Sequence, residues 1–243
     1  MILLSIDTTG PASSVALVEG EEVRAALYLR QASAFSRPLL RSIDQVFAWT
    51  GCTLDHLTGL VVNIGPGAFT GLRVGLATAQ GLAMASGKPV VGCSAFEALV
   101  ALVPAWQGMI CPMLEARKDE VYAAMYCQQD RRLQEVIPGL VVTPEALCSL
   151  VTERTLFLGS GARVYGALLA AMLGDRAVCA NTGVEEVGLA VSMARVGQAR
   201  LRAAGSAVLP FPRPLYIRHA DARLPRHAAA TAGVSGQGAT PDV

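Results

Sequence analysis

The chain has 243 residues, 52% of them hydrophobic and 16% charged, against ~25% charged in an average soluble domain, which excludes intrinsic disorder for the main body. Twenty Lys plus Arg against 19 Asp plus Glu leave a net charge of +1 with no basic run in the body, so independent, high-affinity binding of nucleic acid is not advertised. Mean hydropathy is high at +0.43, yet the longest charge-free stretches (56–72, 74–87 and 98–114) fall short of the ~20 apolar residues of a membrane span and carry Gly, Pro, Asn or Gln.

In chain order, residues 1–9, 13–19 and 22–30 read as three strands separated by Gly10-Pro11 and Gly20, a small antiparallel meander. The first segment lacks a basic start and reaches Asp7 too early for a secretory leader, so a cytoplasmic protein is expected. Ser36 as N-cap and Pro38 in the first turn predict a helix with Leu39, Leu40, Ile43, Val46 and Phe47 on its apolar face, stopped by Gly51. Residues 57–64 predict a strand buried on both faces. A glycine-rich loop follows, then a helix over 71–86 ended by Gly87 and Pro89, a strand over 90–92 and a helix over 95–103.

The second half repeats this order: strands over 109–114, 120–127 and 132–142, a helix over 144–151, a strand over 155–158 and a helix over 162–173. Two βββαβα units predict a two-lobed α/β protein, each lobe a mixed sheet with helices on its faces, and a cleft between them. The expected lobes are residues 1–103 and 104–227. Thr182 and Glu185 form a capping box for a long helix over 185–202, with Glu185 and Glu186 at its start and Arg200 and Arg202 at its end, expected to pack back on the first lobe. Pro210, Pro212 and Pro214 lead into an extended Leu215-Tyr216-Ile217-Arg218. The Ala, Gly, Ser and Thr of residues 228–243 predict a disordered tail. The six cysteines lie at least 16 residues apart with no CxxC pair, which predicts buried free thiols.

The strongest local signal is Gly65-Pro66-Gly67-Ala68-Phe69-Thr70-Gly71 between a buried strand and a helix. Glycines there either open backbone N–H groups to an anion such as a phosphate, or make a tight turn against another backbone. The spacing misses the dinucleotide fingerprint by one residue, and Gly87-Lys88 lacks the Ser or Thr of a P-loop. Asp7, ending the first strand before Thr8-Thr9-Gly10, suits either a hydrated metal or a turn aspartate bonding its own backbone. Glu115 to Glu120 stands at the matching strand end of the second half, as a cleft lining or a solvated cluster. The three histidines, His56, His219 and His227, have no metal-site spacing, and no serine has a base nearby in sequence. The helix after the loop is apolar or small almost all round, so it needs cover on every side. Gly75, Ala79 and Ala83, at every fourth position, admit a closely packed helix, from another subunit or from this chain.

Ile6-Asp7-Thr8-Thr9, Ser14-Val15-Ala16-Leu17, the loop running on into Leu72-Arg73-Val74-Gly75, and Ala79-Gln80-Gly81-Leu82-Ala83 resemble the TsaB (YeaZ) family of bacterial proteins. The likeness is closest in the first hundred residues. Farther on, Glu115 to Tyr122, Gly159-Ser160-Gly161 and Pro214 to Arg218 align more loosely. The resemblance implies a duplicated actin-like, ribonuclease-H-type (ASKHA) fold. It also implies a non-catalytic scaffold in tRNA threonylcarbamoyladenosine synthesis, needing no cofactor of its own and modifying the adenosine beside the anticodon through its partners. Those partners are the catalytic subunit TsaD and the TsaE-type ATPase, with tRNA met through the complex and a homodimer formed when the chain is alone.

On this resemblance the TsaD-facing surface comprises Leu39, Leu40, Ile43, Phe47, Gly71, Leu72, Arg73, Gly75, Leu76, Ala79 and Ala83. Asp7, Thr9, Gly65, Gly67, Thr70 and Glu115 would be a vestigial or shared nucleotide site. Two departures stand out: Phe35-Ser36 where the family often has His-Ser, and Glu115 where it usually has aspartate. The competing expectation is an independent actin-like ATPase or kinase using Asp7 and the Gly65 to Gly71 loop. Arg213, Arg218, Arg223 and Arg226 make the one local basic excess, touching tRNA or a partner, or simply solvated.

Overall fold

Strand β1 (Ile2–Asp7) is the axis of the first half. On one side it pairs antiparallel with β2 (Ala12–Glu19), which pairs in turn with β3 (Glu22–Arg30); on the other it runs parallel to β4 (Gly59–Asn63), which is followed by β5 (Val90–Cys93). The order is β3-β2-β1-β4-β5. The computed structural model describes residues 1–30, 36–129, 132–180 and 188–217. The second half builds the same sheet from β6 (Gly108–Glu115), β7 (Val121–Gln129), β8 (Arg132–Val142), β9 (Thr155–Leu158) and β10 (Ala177–Cys179), in the order β8-β7-β6-β9-β10. Each sheet is a three-strand meander extended by parallel strands, the duplicated ribonuclease-H-type plan of the actin-like class.

Side-chain alternation on these strands sorts the helices into layers. Leu4 and Ile6 of β1, Val15 and Leu17 of β2 and Leu60 and Val62 of β4 point to one face of the first sheet. There they meet Leu39, Ile43 and Val46 of α1 (Ser36–Thr50) and Leu72, Leu76 and Ala79 of α2 (Phe69–Ser86). The opposite face, with Leu3, Val61 and Val91, shares one core with Ile110, Ala124, Tyr126 and Leu158 of the second sheet. Two helices fill the space between: α3 (Ala95–Val100), through Phe96 and Leu99, and α6 (Ala190–Ala204), through Met193 and Leu201. The outer face of the second sheet is covered by α4 (Pro144–Cys148) and α5 (Ser160–Leu173).

Polar groups tie the middle layer together. Ser94 caps α3, its hydroxyl and backbone N–H both donating to Glu97 Oε2 at 2.9 Å. Arg200 of α6 donates to Glu97 Oε1 and to the Gly92 carbonyl of β5. Gln198 is buried on α6 because the carbonyl of Gly20, in the β2–β3 turn, accepts its amide.

Several sequence expectations are corrected. The helix predicted over 185–202 begins at Ala190, because Gly188 lies at φ +73°, outside any right-handed helix. Thr182, Glu185 and Glu186 fall outside the described residues, as do His219, His227, Phe35, Arg218, Arg223, Arg226 and the 228–243 tail. Helix α2 begins two residues early, taking Phe69 and Thr70 into its first turn. Strand β10, three residues long, was not predicted. All six cysteines are free, but only Cys93, Cys111 and Cys148 are buried; Cys52 and Cys127 are half-buried, and Cys179, on edge strand β10, is exposed. Among the described residues no helix is long and apolar enough to cross a membrane.

Phe96 is 1% exposed at the centre of the layer both sheets share. Phe96→Ala is expected to cost about 3–5 kcal/mol of unfolding free energy, measured by urea denaturation. A loss below about 1 kcal/mol would contradict a single core spanning both halves.

Candidate functional site

The conspicuous polar cluster stands where β1 and β4 end side by side. Asp7 closes β1 and is buried, and its Oδ1 accepts three hydrogen bonds: from the Thr9 backbone N–H at 3.0 Å, the Thr9 hydroxyl at 2.8 Å and the Asn63 amide at 2.9 Å. Asn63 also donates to Thr9 Oγ1 at 3.0 Å, while its Oδ1 accepts the Gly65 N–H at 2.8 Å. The Leu189 backbone N–H, at the start of α6, adds a further donor to Asp7. Burial pushes the Asp7 carboxyl above its ordinary value, and these hydrogen bonds pull part of the way back.

The loop glycines lie against this turn. A side chain at Gly71 would run into the Thr8 carbonyl oxygen, at Gly67 into the Thr9 carbonyl, and at Gly75 into the Thr8 hydroxyl. Thr8 Oγ1 donates to the Gly71 carbonyl at 2.7 Å, and the Ala68 N–H donates to the Thr9 carbonyl at 2.7 Å. Gly65 lies at φ +103°, its peptide to Pro66 is cis, and its carbonyl accepts the Ala95 N–H of α3. Of the two sequence readings of the loop, the tight turn against another backbone is the one realised. On the Cβ side, Gly67 and Gly71 face the Thr9 and Thr8 carbonyls of the same chain.

Thr70 is exposed on the first turn of α2. Glu115, exposed at the end of β6, is not drawn into the Asp7 network; its backbone N–H donates to Ser160 Oγ at 3.1 Å. Lys118 and Asp119, at φ +64° and +57°, make the tight turn of the β6–β7 hairpin. Sequence reasoning missed Asn63, the residue that joins β1, β4 and the loop. Its one signal was an amide at the end of an otherwise apolar strand, where a buried polar group must have partners.

The surface expected to meet a partner is rearranged. Leu39, Ile43, Gly71, Leu72, Gly75, Leu76 and Ala79 are buried within this lobe, because the Gly75 and Ala79 side of α2 is the side that packs on β1 and β4. Phe47 and Ala83 are half-buried. Leu40 and Arg73 are exposed, and the outward face adds Phe69, Ala77, Gln80, Gly81 and Met84 on α2 and Trp49 on α1. Met84 is 80% and Trp49 62% exposed. Nothing lies within 4 Å of where a side chain at Gly81 would begin. At the head of this face the Arg73 guanidinium sits 3.9 Å from the Phe69 ring centre and donates to the Tyr216 hydroxyl at 3.3 Å.

A family model described as TsaD, tRNA N6-adenosine threonylcarbamoyltransferase, matches residues 30–225. The tRNA threonylcarbamoyladenosine biosynthesis protein TsaB of Haemophilus influenzae is 32% identical over 176 residues, 68% of this chain and 74% of the relative. The protein of that name from Bacillus subtilis is 26% identical over 179 residues, 72% of this chain and 78% of the relative. Among solved structures, YeaZ from Pseudomonas aeruginosa matches with a TM-score of 0.70 at 24% identity, over 88% of this chain and 99% of that one, a likeness of fold.

A carboxyl held above its unfolded value favours the fold most when neutral, so that contribution is complete below the ordinary carboxylate range and is lost as pH rises through the raised value. Asp7→Asn keeps an acceptor oxygen but cannot ionise. Compared by urea unfolding across pH, the variant is expected to gain on the parent from about pH 4 upward, the difference levelling off above the raised value. A difference that does not vary with pH would show that burial does not penalise the Asp7 charge.

Proposed function

The chain belongs to the TsaB (YeaZ) family, and from that membership we propose that it is the non-catalytic scaffold subunit of a tRNA threonylcarbamoyladenosine synthesis complex. In this proposal it works in the cytoplasm, pairs with a TsaD homologue that carries the transfer chemistry, and is served by a TsaE-type ATPase. tRNA is met through the assembly, at the adenosine beside the anticodon. A chain without its partner pairs with a second copy of itself. The two lobes divide at residues 103 and 104, with α6 returning to the first.

The observation that carries the proposal is the state of the glycine loop. Gly67, Gly71 and Gly75 pack closely on Thr8 and Thr9, and Asp7 is engaged by Thr9, Asn63 and Leu189, which supports a structural use of the loop. In this reading Asp7, Thr9, Gly65 and Gly67 are a vestigial site whose groups now serve the packing of the first lobe. Thr70 and Glu115 remain exposed and separate from that cluster.

The outward face of α1 and α2 supports the docking half of the proposal. Leu40, Trp49, Phe69 and Met84 leave large apolar side chains in water on one side of the first sheet, and Ala77, Gly81 and Ala85 form a shallow strip of exposed small residues along α2. Gly81 costs the solitary helix ~1 kcal/mol relative to alanine and relieves no contact within the chain. Close approach of a partner helix gives that position a use.

Met84→Glu is expected to leave unfolding of the isolated chain within about 0.5 kcal/mol of the parent and to weaken capture of the co-expressed TsaD homologue at least tenfold, or about 1.4 kcal/mol. Gly81→Ala is expected to stabilise the isolated chain by about 0.5–1 kcal/mol while weakening the same capture. Undiminished capture by both variants would remove α2 from the interface. Titration calorimetry of the isolated chain with ATP and magnesium separates the scaffold from an independent ATPase or kinase: the scaffold gives no binding heat, and tight binding favours the enzyme.

A further inference from the structure

Beyond α6 the chain does not simply leave the body. Leu209 packs against the core shared by the two sheets, Phe211 against the core beneath α1 and α2, and Ile217 against the shared core again. Segment 206–217 therefore passes around the β5 edge of the first sheet and returns to the second. Three glycines, on β5, on β8 and in the loop after β4, lie along this path. A side chain at Gly92 on β5 would begin 2.9 Å from Pro212 Cβ, one at Gly65 would begin 2.9 Å from the Leu215 carbonyl oxygen, and one at Gly139 on β8 would begin 2.7 Å from Ile217 Cδ1. The Leu215 N–H donates to the Ile64 carbonyl at the end of β4, at 2.7 Å. One residue on, the Tyr216 ring stacks against Phe69 with centroids 5.5 Å apart, and its hydroxyl accepts from Arg73.

Segment 206–217 is thus fastened to the first lobe by a backbone hydrogen bond and a ring contact, and to the second by the Ile217 side chain seated over Gly139 of β8. A peripheral extension with no such task would not need anchors on both sheets. We propose that this segment is a clamp that fixes the two lobes in one mutual arrangement, so that the chain meets its partner as a rigid body. The clamp acts in addition to the core that the two sheets share. It does not depend on the identity of the partner.

Coupling across the lobes is the property to test, by hydrogen exchange with mass-spectrometric readout on the full-length chain. Ile217→Ala loosens the end held by the second lobe; exchange is expected to rise about tenfold in the first lobe, in peptides covering residues 60–72. Leu215→Pro removes the N–H held by the first lobe; exchange is expected to rise comparably in β7 and β8. Should either variant unfold, Ile217→Val, which trims one methylene, is expected to give the first pattern at smaller amplitude. Acceleration confined to the lobe that lost the contact, or none at all, would overturn the clamp.

Discussion

The organising constraint of the first lobe is the approach of the Thr8–Thr9 backbone to helix α2 and the loop before it. Two carbonyls and a hydroxyl occupy positions where Gly67, Gly71 and Gly75 would otherwise carry side chains. Because two of these contacts, at Gly67 and Gly71, are made by main chain on both sides, they set how closely α2 can lie on β1 and β4, and so which of its residues enter the core. Leu72, Leu76 and Ala79 go in, and Phe69, Gln80 and Met84 are left out. The same approach leaves Asp7 away from solvent, where a network of local donors makes burial of a carboxyl tolerable. An unpaired buried hydroxyl remains nearby on β1, Ser5 Oγ, so polar satisfaction in this strand is concentrated at its end.

The elements themselves were largely legible. Uninterrupted apolar runs such as Leu60-Val61-Val62 have one stable fate beside a meander, as a central strand, and the Leu39, Ile43, Val46 spacing permits one helical face. What sequence could not convey was the identity of the neighbour. Gly75 and Ala79 announce close packing, but a four-residue repeat of small side chains looks the same whether the visitor is a foreign helix or a strand of the same lobe. Here the visitor is β1 and its turn. The start of α6 misled for a related reason: the sequence spacing of Thr182 and Glu185 matches that of a cap, while Gly188, at φ +73°, packs where a side chain would meet Ser14 and Tyr28, far away in sequence. Ala177-Val178-Cys179 is too short to carry a period at all.

The candidate site was legible in composition and not in purpose. Asp7, Thr9, Gly65 and Gly67 do gather, as residues of a ligand pocket would, with Asp7, Thr9 and Gly65 hydrogen-bonded through Asn63. Asn63 decides this, since one amide answers Asp7, Thr9 and Gly65 together. Glu115 belongs to a different lobe and a different surface. The second lobe repeats the strands and the glycine turn at Gly159, where the contact is with the Met113 carbonyl.

The outermost strands carry a different implication. Strand β3 presents Glu22, Arg24 and Arg30, and β8 is interrupted by Pro138, which has no N–H to offer. The other two borders are only four and three residues long, and β5 is flanked by Pro212 besides. None of the four presents a long, flat, unguarded ribbon to a stranger's backbone. A molecule that leaves greasy helices uncovered is thus denied the commonest route to fibrils, and association is channelled to surfaces where side chains, rather than generic peptide groups, choose the mate.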